Sequence, residues 1–219
     1  MRNLLFIVLV SLCFSCTKQG IQTDQANNAA SKNLASSPAQ SNPQAALATT
    51  TTFRKFTIKQ GAHYCDQNAL SRVSGTAMNF VAKFDSTAIY PAVITDYNHA
   101  YDVNKLWGFS EGFSNQYNSA RIGWRWLNGQ LQLFAYVYVK GTLLRDPISY
   151  DPPFIKSVQI GSEINCSIAV SGSKYIFTVD GVVVQTARGA TTSTYSGYQQ
   201  YPYFGGNLTA PHLINIYIK

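Results

Sequence analysis

Two arginines, Arg121 and Arg125, stand four residues apart in a segment whose side chains alternate as in a β-sheet. A period of two along a strand places both guanidinium groups on one side, and places Trp124 and Trp126 on the other. Guanidinium groups are fork-shaped donors that suit carboxylates and hydroxyls. The segment therefore predicts a polar, anion-binding sheet face that is backed by an apolar core.

The turn Asn128-Gly129 sets which residues lie beside the arginines. Asn-Gly is typical of the two-residue type I′ hairpin, so we expect Trp126 to face Leu131. On the polar side the same register pairs Arg125 with Gln132, Gly123 with Phe134, and Arg121 with Tyr136. Aromatic rings offer flat platforms for the C–H faces of a sugar, and Arg and Gln offer donors for its oxygens. We therefore predict a glycan-binding face made of Arg121, Arg125, Gln132, Phe134, Tyr136 and Tyr138.

A purely structural interpretation of this face is also open. Arginines beside tyrosine and phenylalanine form cation–π pairs on exposed sheets. The segment from Thr142 to Lys156 could also fold over the face and cover it. In either case the domain would be a structural or protein-interaction module instead of a glycan-binding one.

If the face is catalytic, the reaction that suits it is elimination from a uronate polysaccharide. Such a lyase needs a cation that neutralises the uronate carboxylate and a side chain that moves a proton. Arg121 or Arg125 could neutralise the carboxylate. The proton could be moved by Tyr136, Tyr138 or His212.

Other site chemistries find little support in the residue pattern. Retaining glycoside hydrolysis needs two closely spaced carboxylates, but the segment from Phe53 onward holds only the glutamates Glu111 and Glu163 and has no acidic strand. The three histidines, His63, His99 and His212, lack metal-ligand spacing. The polar loop from Asp96 to Asp102 could hold Ca²⁺, but the favoured interpretation is that these are ordinary turn acids. We therefore expect no metal and no cofactor.

Cys65 and Cys166 are the two cysteines of the segment from Phe53 to Lys219. Cys166 shares its parity with Ile164 and Ile168, so it is predicted to face the core. An exported protein can oxidise such a pair to a disulfide. Two buried thiols that act as small apolar side chains are the alternative.

The first residues read as an export signal. One arginine is followed by the apolar run Leu4 to Leu12, which is too short to span a bilayer. Ser15-Cys16 resembles a bacterial lipobox, which implies that Cys16 becomes lipidated and tethers the protein to a membrane. A secretory peptide that is cut near Ser15 is the alternative.

Residues 17–52 contain Ala, Ser, Thr, Asn, Gln and Pro, with almost no large apolar side chains. Such a composition cannot bury enough apolar surface to fold, so we predict a flexible tether. Residues 53–219 are rich in Tyr, Phe, Val and Ile and are predicted to form one β-domain. This domain contains 14 Lys and Arg against 9 Asp and Glu, and its basic residues are scattered and form no run. This pattern disfavours nucleic acid and gives a weak preference for an acidic polysaccharide.

Short alternating segments that end at Gly, Pro, Asn and Asp indicate an all-β sandwich or jelly roll. In the predicted strand from Thr76 to Asp85, one face carries Met78, Phe80, Ala82 and Phe84. Asp180-Gly181 is a second type I′ hairpin signal.

Two segments carry a family resemblance. "IGSEINCSIAVSGSKYIFTVDGVVVQT" resembles the late hairpins of concanavalin A-like lectin and glucanase jelly rolls, and "YPYFGGNLTAPHLINIYIK" is similar to the closing strands of alginate-lyase-like jelly rolls. The whole chain also resembles exported lipoproteins of the Bacteroidetes type. The resemblance implies an antiparallel two-sheet jelly-roll sandwich that binds glycan on one sheet face. It further implies a place in the bacterial cell envelope, held by lipid to the outer membrane. It assigns no catalytic residue.

Overall fold

The protein is described by a computed structural model, which defines residues 52–91 and 102–219. Apolar side chains recur at every second position in most segments, so the chain forms strands, and the only helix in these residues is a 3₁₀ turn, Ser86–Ala88. The strands are β1 Arg54–Ile58, β2 Arg72–Gly75, β3 Ala77–Phe84, β4 Asn104–Ser110, β5 Ser119–Leu127, β6 Gln130–Val139, β7 Thr142–Leu143, β8 Phe154–Val158, β9 Ile164–Ser171, β10 Lys174–Val179, β11 Val182–Ala187, β12 Tyr195–Gln200 and β13 Ile214–Ile218.

The strands form two antiparallel sheets. The first sheet has the order β1-β13-β3-β9-β10-β11, and the second has the order β2-β12-β4-β5-β6-β7, with β8 also paired to β6. The first four strands alternate between the two sheets, and the last two do so again. The all-β, antiparallel two-sheet jelly-roll sandwich predicted from the sequence is confirmed.

The core lies between the sheets and takes one side of each strand. Trp124 of the second sheet is fully buried, and its ring centroid lies 5.1 Å from that of Phe84 in the first sheet. Met78, Phe80 and Ala82 point inward with Phe84, as the alternation predicts. Each fully buried large apolar side chain contributes about 1.5–3 kcal/mol, so this layer holds the sheets together.

The β5–β6 hairpin has the predicted turn and register. Asn128 and Gly129 both have positive φ, 52° and 74°, as a type I′ turn requires. Every predicted cross-strand pair is present, including Trp126 with Leu131 and Arg121 with Tyr136. Trp124 is buried, whereas Trp126 is only partly buried against the core. The hairpin therefore places the arginines on the side of the second sheet that faces away from the core.

Cys65 and Cys166 are buried free thiols, so the disulfide alternative is not what the structure contains. The backbone of Cys65 forms an isolated β-bridge with Ile58 at the outer edge of β1, and Cys166 lies in β9. The strands β1, β13 and β3 stand between them. Four strand spacings of about 4.8 Å place the residues ~19 Å apart, far beyond the ~7 Å limit between the Cα atoms of a disulfide.

Several predicted features lie outside the described residues. These are the leader with Cys16, the tether up to residue 51, and Asp96 and His99 of the polar loop. In the described parts of the chain, no helix is long and apolar enough to cross a membrane.

Candidate ligand-binding face

The predicted face forms on the outer side of the second sheet, and we call it the arginine face. Its members are Arg121 and Arg125 of β5 and Gln132, Phe134, Tyr136 and Tyr138 of β6. Both arginines are more deeply buried than a solvated face would allow, with 5% and 6% of their surfaces exposed. Their partners must therefore be identified one by one.

Arg125 is neutralised within the protein. Its two terminal nitrogens donate to the carboxylate oxygens of Asp151 at 2.8 and 2.7 Å, and its Nε donates to Gln132 Oε1 at 2.8 Å. Asp151 belongs to the connection between β7 and β8, residues 144–153, which we call the strap. The strap reaches over β6 to Arg125 and covers this end of the face.

Phe134 is covered by the same part of the chain. It is 1% exposed, and its ring packs edge-on against Phe154, with centroids 5.7 Å apart. The backbone amide of Ala135 donates to the carbonyl of Pro153 at 2.8 Å. Arg125, Gln132 and Phe134 thus follow the structural interpretation, in which the segment after Thr142 folds over the face.

Arg121 has a different environment. Its Nε is buried and has no hydrogen-bond partner among the residues that the structure describes, and its Nη2 lies 3.4 Å from the carbonyl oxygen of Asn115. Its guanidinium carbon lies 5.2 Å from the ring centroid of Tyr136. In residues 52–91 and 102–219, no carboxylate forms an ion pair with it. Burial lowers the pKa of Arg121 from its usual value, which reflects the free-energy cost of an uncompensated charge.

Lys105 is a second buried cation that sequence reasoning missed. A bulge between Lys105 and Trp107 shifts the register of β4 and places Lys105 opposite Gly123, on the outer side. The ammonium donates to the carbonyl of Gly205 at 2.8 Å and lies 4.8 Å from the ring centroid of Tyr136. No ion pair to Lys105 occurs in the described part of the chain.

The pKa of Lys105 is lowered to about 8, chiefly because burial disfavours the ammonium and secondly because Arg121 repels it. Asp102 acts in the opposite direction, but its effect is the smallest of the three. A fraction of the amine is therefore neutral at mildly alkaline pH.

Tyr203 completes the group around these two cations. Its backbone forms an isolated β-bridge with that of Lys105, and its ring centroid lies 5.4 Å from the Lys105 ammonium. His63 stacks on the Tyr203 ring at 5.2 Å with an interplanar angle of 9°. We call the set Lys105, Arg121, Tyr136, Tyr138 and Tyr203 the basic pocket.

Tyr136 and Tyr203 of the basic pocket are phenols at neutral pH. Burial raises the pKa of Tyr136 and, more moderately, that of Tyr203. For Tyr136 the nearby phenol of Tyr138 raises the pKa further, and Arg121 lowers it less strongly. The ring centroids of Tyr136 and Tyr138 lie 5.9 Å apart. Their hydroxyl groups can therefore act as hydrogen-bond donors to a ligand oxygen.

Gly123 allows Tyr136 and the chain before β4 to pack together. A Cβ at this position would lie 2.6 Å from Val103 Cγ1 and 3.2 Å from Tyr136 Cβ. No side chain larger than hydrogen fits there without displacing one of them. Gly123 therefore helps to position the aromatic ring that both cations contact.

The remaining candidate residues lie away from the basic pocket. His212 places its Nε2 2.8 Å from the carbonyl oxygen of Thr87, before β13 of the first sheet. Glu111 accepts hydrogen bonds from Arg188 at 2.8 and 2.7 Å, and Glu163 pairs with Lys219 at 3.0 Å. Among the described residues, no group of three His, Cys, Asp or Glu could hold a metal ion.

The fold and the site together define the class of the domain. It is an antiparallel jelly-roll sandwich that carries a cationic and aromatic pocket on one sheet. No protein-family model and no curated protein matches the chain. Among solved structures, a family 7 alginate lyase, A1-II′, has a TM-score of 0.45 and 11% identity over 76% of each chain. The alginate lyase AlyC3 has a TM-score of 0.43 and 11% identity over 76% of this chain and 72% of its own.

A carbohydrate-binding module from Bacillus subtilis, CBM66, has a TM-score of 0.34 and 8% identity over 70% of this chain and 81% of its own. At these identities and scores the likeness assigns no residue role and no activity to this chain. The function must be argued from the basic pocket itself.

Proposed function

We propose that the domain binds an acidic glycan at the basic pocket. The observation that carries this proposal is the pair of buried cations, Lys105 and Arg121, which contact one tyrosine ring and have no ion-pair partner among the described residues. An uncompensated buried charge costs several kcal/mol, and cation–π contacts recover only part of it. The carboxylate of a ligand would supply the missing negative charge.

The surroundings of the cations favour a sugar acid over a small inorganic anion. Tyr138 and Tyr203 are half-buried aromatic side chains at the edge of the pocket, and a pyranose ring can pack its C–H face on such rings. Phenolic hydroxyls beside them can bind the sugar hydroxyls. A uronate carries both groups, a carboxylate for Lys105 and Arg121 and an apolar ring face for the tyrosines.

Calorimetry with matched polysaccharides tests this proposal. The domain is titrated with uronate oligosaccharides built on glucuronate, galacturonate and mannuronate, and with neutral oligosaccharides of the same length. We expect heat with an acidic ligand and at least about ten-fold weaker binding to Arg121→Met. Lys174→Met, an exposed charge removal on the first sheet, is the control. Absence of binding to every uronate, or unchanged affinity of Arg121→Met, contradicts the proposal.

A uronate lyase is the second candidate, and the lowered pKa of Lys105 is the observation that favours it. In such an elimination, Lys105 would take the proton from the carbon next to the carboxylate while Arg121 stabilises the negative charge that develops. The glycosidic C–O bond at the next carbon would break as the C=C bond forms. A phenol, Tyr138 or Tyr203, would return a proton to the departing oxygen.

Absorbance of the unsaturated sugar product separates the two candidates. A lyase gives rising absorbance with a uronate polymer, and Lys105→Met abolishes the rise. A binding module gives heat without product. A structural or protein-interaction domain gives neither signal.

We also propose that Cys16 is lipidated and that residues 17–52 tether the domain to a membrane of the bacterial cell envelope. The lipobox-like Ser15-Cys16 and the composition of the tether support this proposal. In the full chain, Cys16→Ser should release the protein from the membrane fraction or leave its leader uncleaved. Unchanged attachment of the mature protein would contradict the proposal.

A further inference from the structure

A second aromatic and basic group lies on the outer side of the second sheet, near its β2–β12 edge. Phe113 is 80% exposed, and its ring lies 4.6 Å from that of Tyr198 at an interplanar angle of 31°. The guanidinium carbon of Arg72 lies 5.7 Å from the centroid of the Tyr198 ring. Arg72 is exposed and forms no ion pair within the described ranges. The group thus resembles the basic pocket in its chemistry, because in both a cation without an ion-pair partner among the described residues lies beside two packed aromatic rings.

Phe113 is presented by a loop whose base is fixed. Glu111 is held by Arg188 through two hydrogen bonds of 2.8 and 2.7 Å, and it also accepts one from Tyr175. The hydroxyl of Ser110 donates to the carbonyl of Gly112 at 2.7 Å. An exposed aromatic ring on a fixed loop loses little conformational entropy when a ligand covers it.

The backbone register places this group in line with the basic pocket. Gln200 of β12 pairs with Gly108 of β4, and Gly108 pairs with Arg121 of β5. Tyr198 is two residues from Gln200 and points to the same side of β12. Two strand spacings of about 4.8 Å and a shift of two residues along the strand separate Tyr198 from Arg121, so these residues lie ~12 Å apart, and Arg72 on β2 lies one strand spacing farther. This span is comparable to the length of a disaccharide.

We infer that Arg72, Phe113 and Tyr198 form a second subsite for the acidic glycan, about one disaccharide away from Arg121. The inference rests on the proposed function, because the ligand is the same chain. Arg72 supplies a cation for a second carboxylate, and Phe113 supplies an apolar platform for a sugar ring. The glycan would therefore lie across the strands of the second sheet, from β6 towards β2.

Binding of a size series of uronate oligosaccharides tests the subsite. Disaccharides and tetrasaccharides of the uronates named above are titrated into the domain, and Kd is measured by calorimetry. In the wild type we expect the tetrasaccharide to bind about ten-fold more tightly than the disaccharide. Phe113→Ala and Arg72→Ala should each remove most of this gain and leave disaccharide affinity unchanged. Phe113→Trp, which keeps the platform, should retain the gain.

The controls separate failure of the subsite from failure of the pocket. Val183→Ala, at an exposed apolar position of β11 in the first sheet, should change neither affinity. Arg121→Met should weaken both lengths equally. If the wild type shows no gain with length, or if Phe113→Ala retains it, the subsite is wrong while the proposed function stands. If no uronate of either length binds, the proposed function fails and the subsite fails with it.

Discussion

Arg121 and Arg125 lie on the same side of β5, but among the described residues only Arg125 is neutralised by a carboxylate. Asp151 of the strap pairs with Arg125 through two hydrogen bonds, whereas the buried Nε of Arg121 has no hydrogen-bond partner within residues 52–91 and 102–219. The arginine face is therefore divided into an end that the strap closes and an end that contains the basic pocket. Buried ionisable groups with a perturbed pKa, such as Arg121, are frequent at functional sites.

The two arginines should respond oppositely to substitution by methionine. Arg125→Met leaves the partly exposed Asp151 without its partner, so we expect the free energy of unfolding to fall by about 1.5–3 kcal/mol, as for hydrogen bonds to charged groups. Arg121→Met removes a charge that has no ion-pair partner in the described part of the chain, so we expect stability equal to or above that of the wild type. Denaturant unfolding of both variants measures the difference. An equal loss in both would mean that Arg121 is stabilised by the fold as fully as Arg125 is.

Binding of the acidic glycan should weaken as the pH rises through about 8. Lys105 carries its charge below its pKa of about 8 and loses it above, and only the charged form attracts a carboxylate. The affinity for the acidic glycan should therefore be high at about pH 6 to 7 and lower at about pH 9. A bound carboxylate raises the pKa of Lys105, so the midpoint in the complex lies higher. Calorimetric Kd values across this range measure the effect, and Lys105→Arg should abolish the pH dependence. A flat profile in the wild type would exclude Lys105 from the site.

Gly123→Ala should perturb the basic pocket through packing alone. The new methyl group would overlap Val103 and press on Tyr136, so we expect a loss of about 1–3 kcal/mol of stability and weaker glycan binding. Gly75→Ala is the matched control, because a Cβ there would meet only ordinary contacts, the nearest at 3.5 Å. Thermal unfolding and calorimetry of both variants test the point. Equal behaviour of the two would show that Val103 and Tyr136 move aside without consequence.

Cys65 and Cys166 should react slowly with alkylating reagents in the folded domain. Burial raises the pKa of Cys65 to about 11 and raises the pKa of Cys166 further, so little thiolate is present at neutral pH. Mass spectrometry after alkylation without reductant should find both thiols modified in denaturant and neither in native buffer. A disulfide between them would appear as unmodified cysteine in denaturant and would contradict the strand order.

The part of the site that depends on local pattern could be predicted from the sequence. The Asn128-Gly129 turn fixed the register of β5 on β6, and the alternation then assigned each side chain to its face. The burial of Arg125 stayed open as an alternative in the sequence, because it depends on the strap, whose Asp151 lies 26 residues beyond Arg125. Parity alone cannot show which distant loop will fold over a face.

Lys105 and Tyr203 escaped prediction for a different physical reason. The bulge after Lys105 breaks the alternation of β4, so simple parity does not apply across it. Tyr203 meets Lys105 through an isolated bridge, almost a hundred residues along the chain, and belongs to no named strand. Contacts of this kind are set by the closing of the sandwich and carry no local sequence signal.

The position of β1 determines how the domain would respond to tension. β1 lies at the edge of the first sheet, and Arg54 at its start faces Ile218 at the end of β13. A pull on the chain before Arg54, directed across the strands and away from β13, would load the five residue pairs of β1 and β13 one after another, beginning with Arg54. The basic pocket lies in the other sheet, so β1 can peel away before that pocket is strained. If the domain were held by the chain before Arg54 and by a polymer bound at the basic pocket, β1 would detach first and the polymer would stay bound.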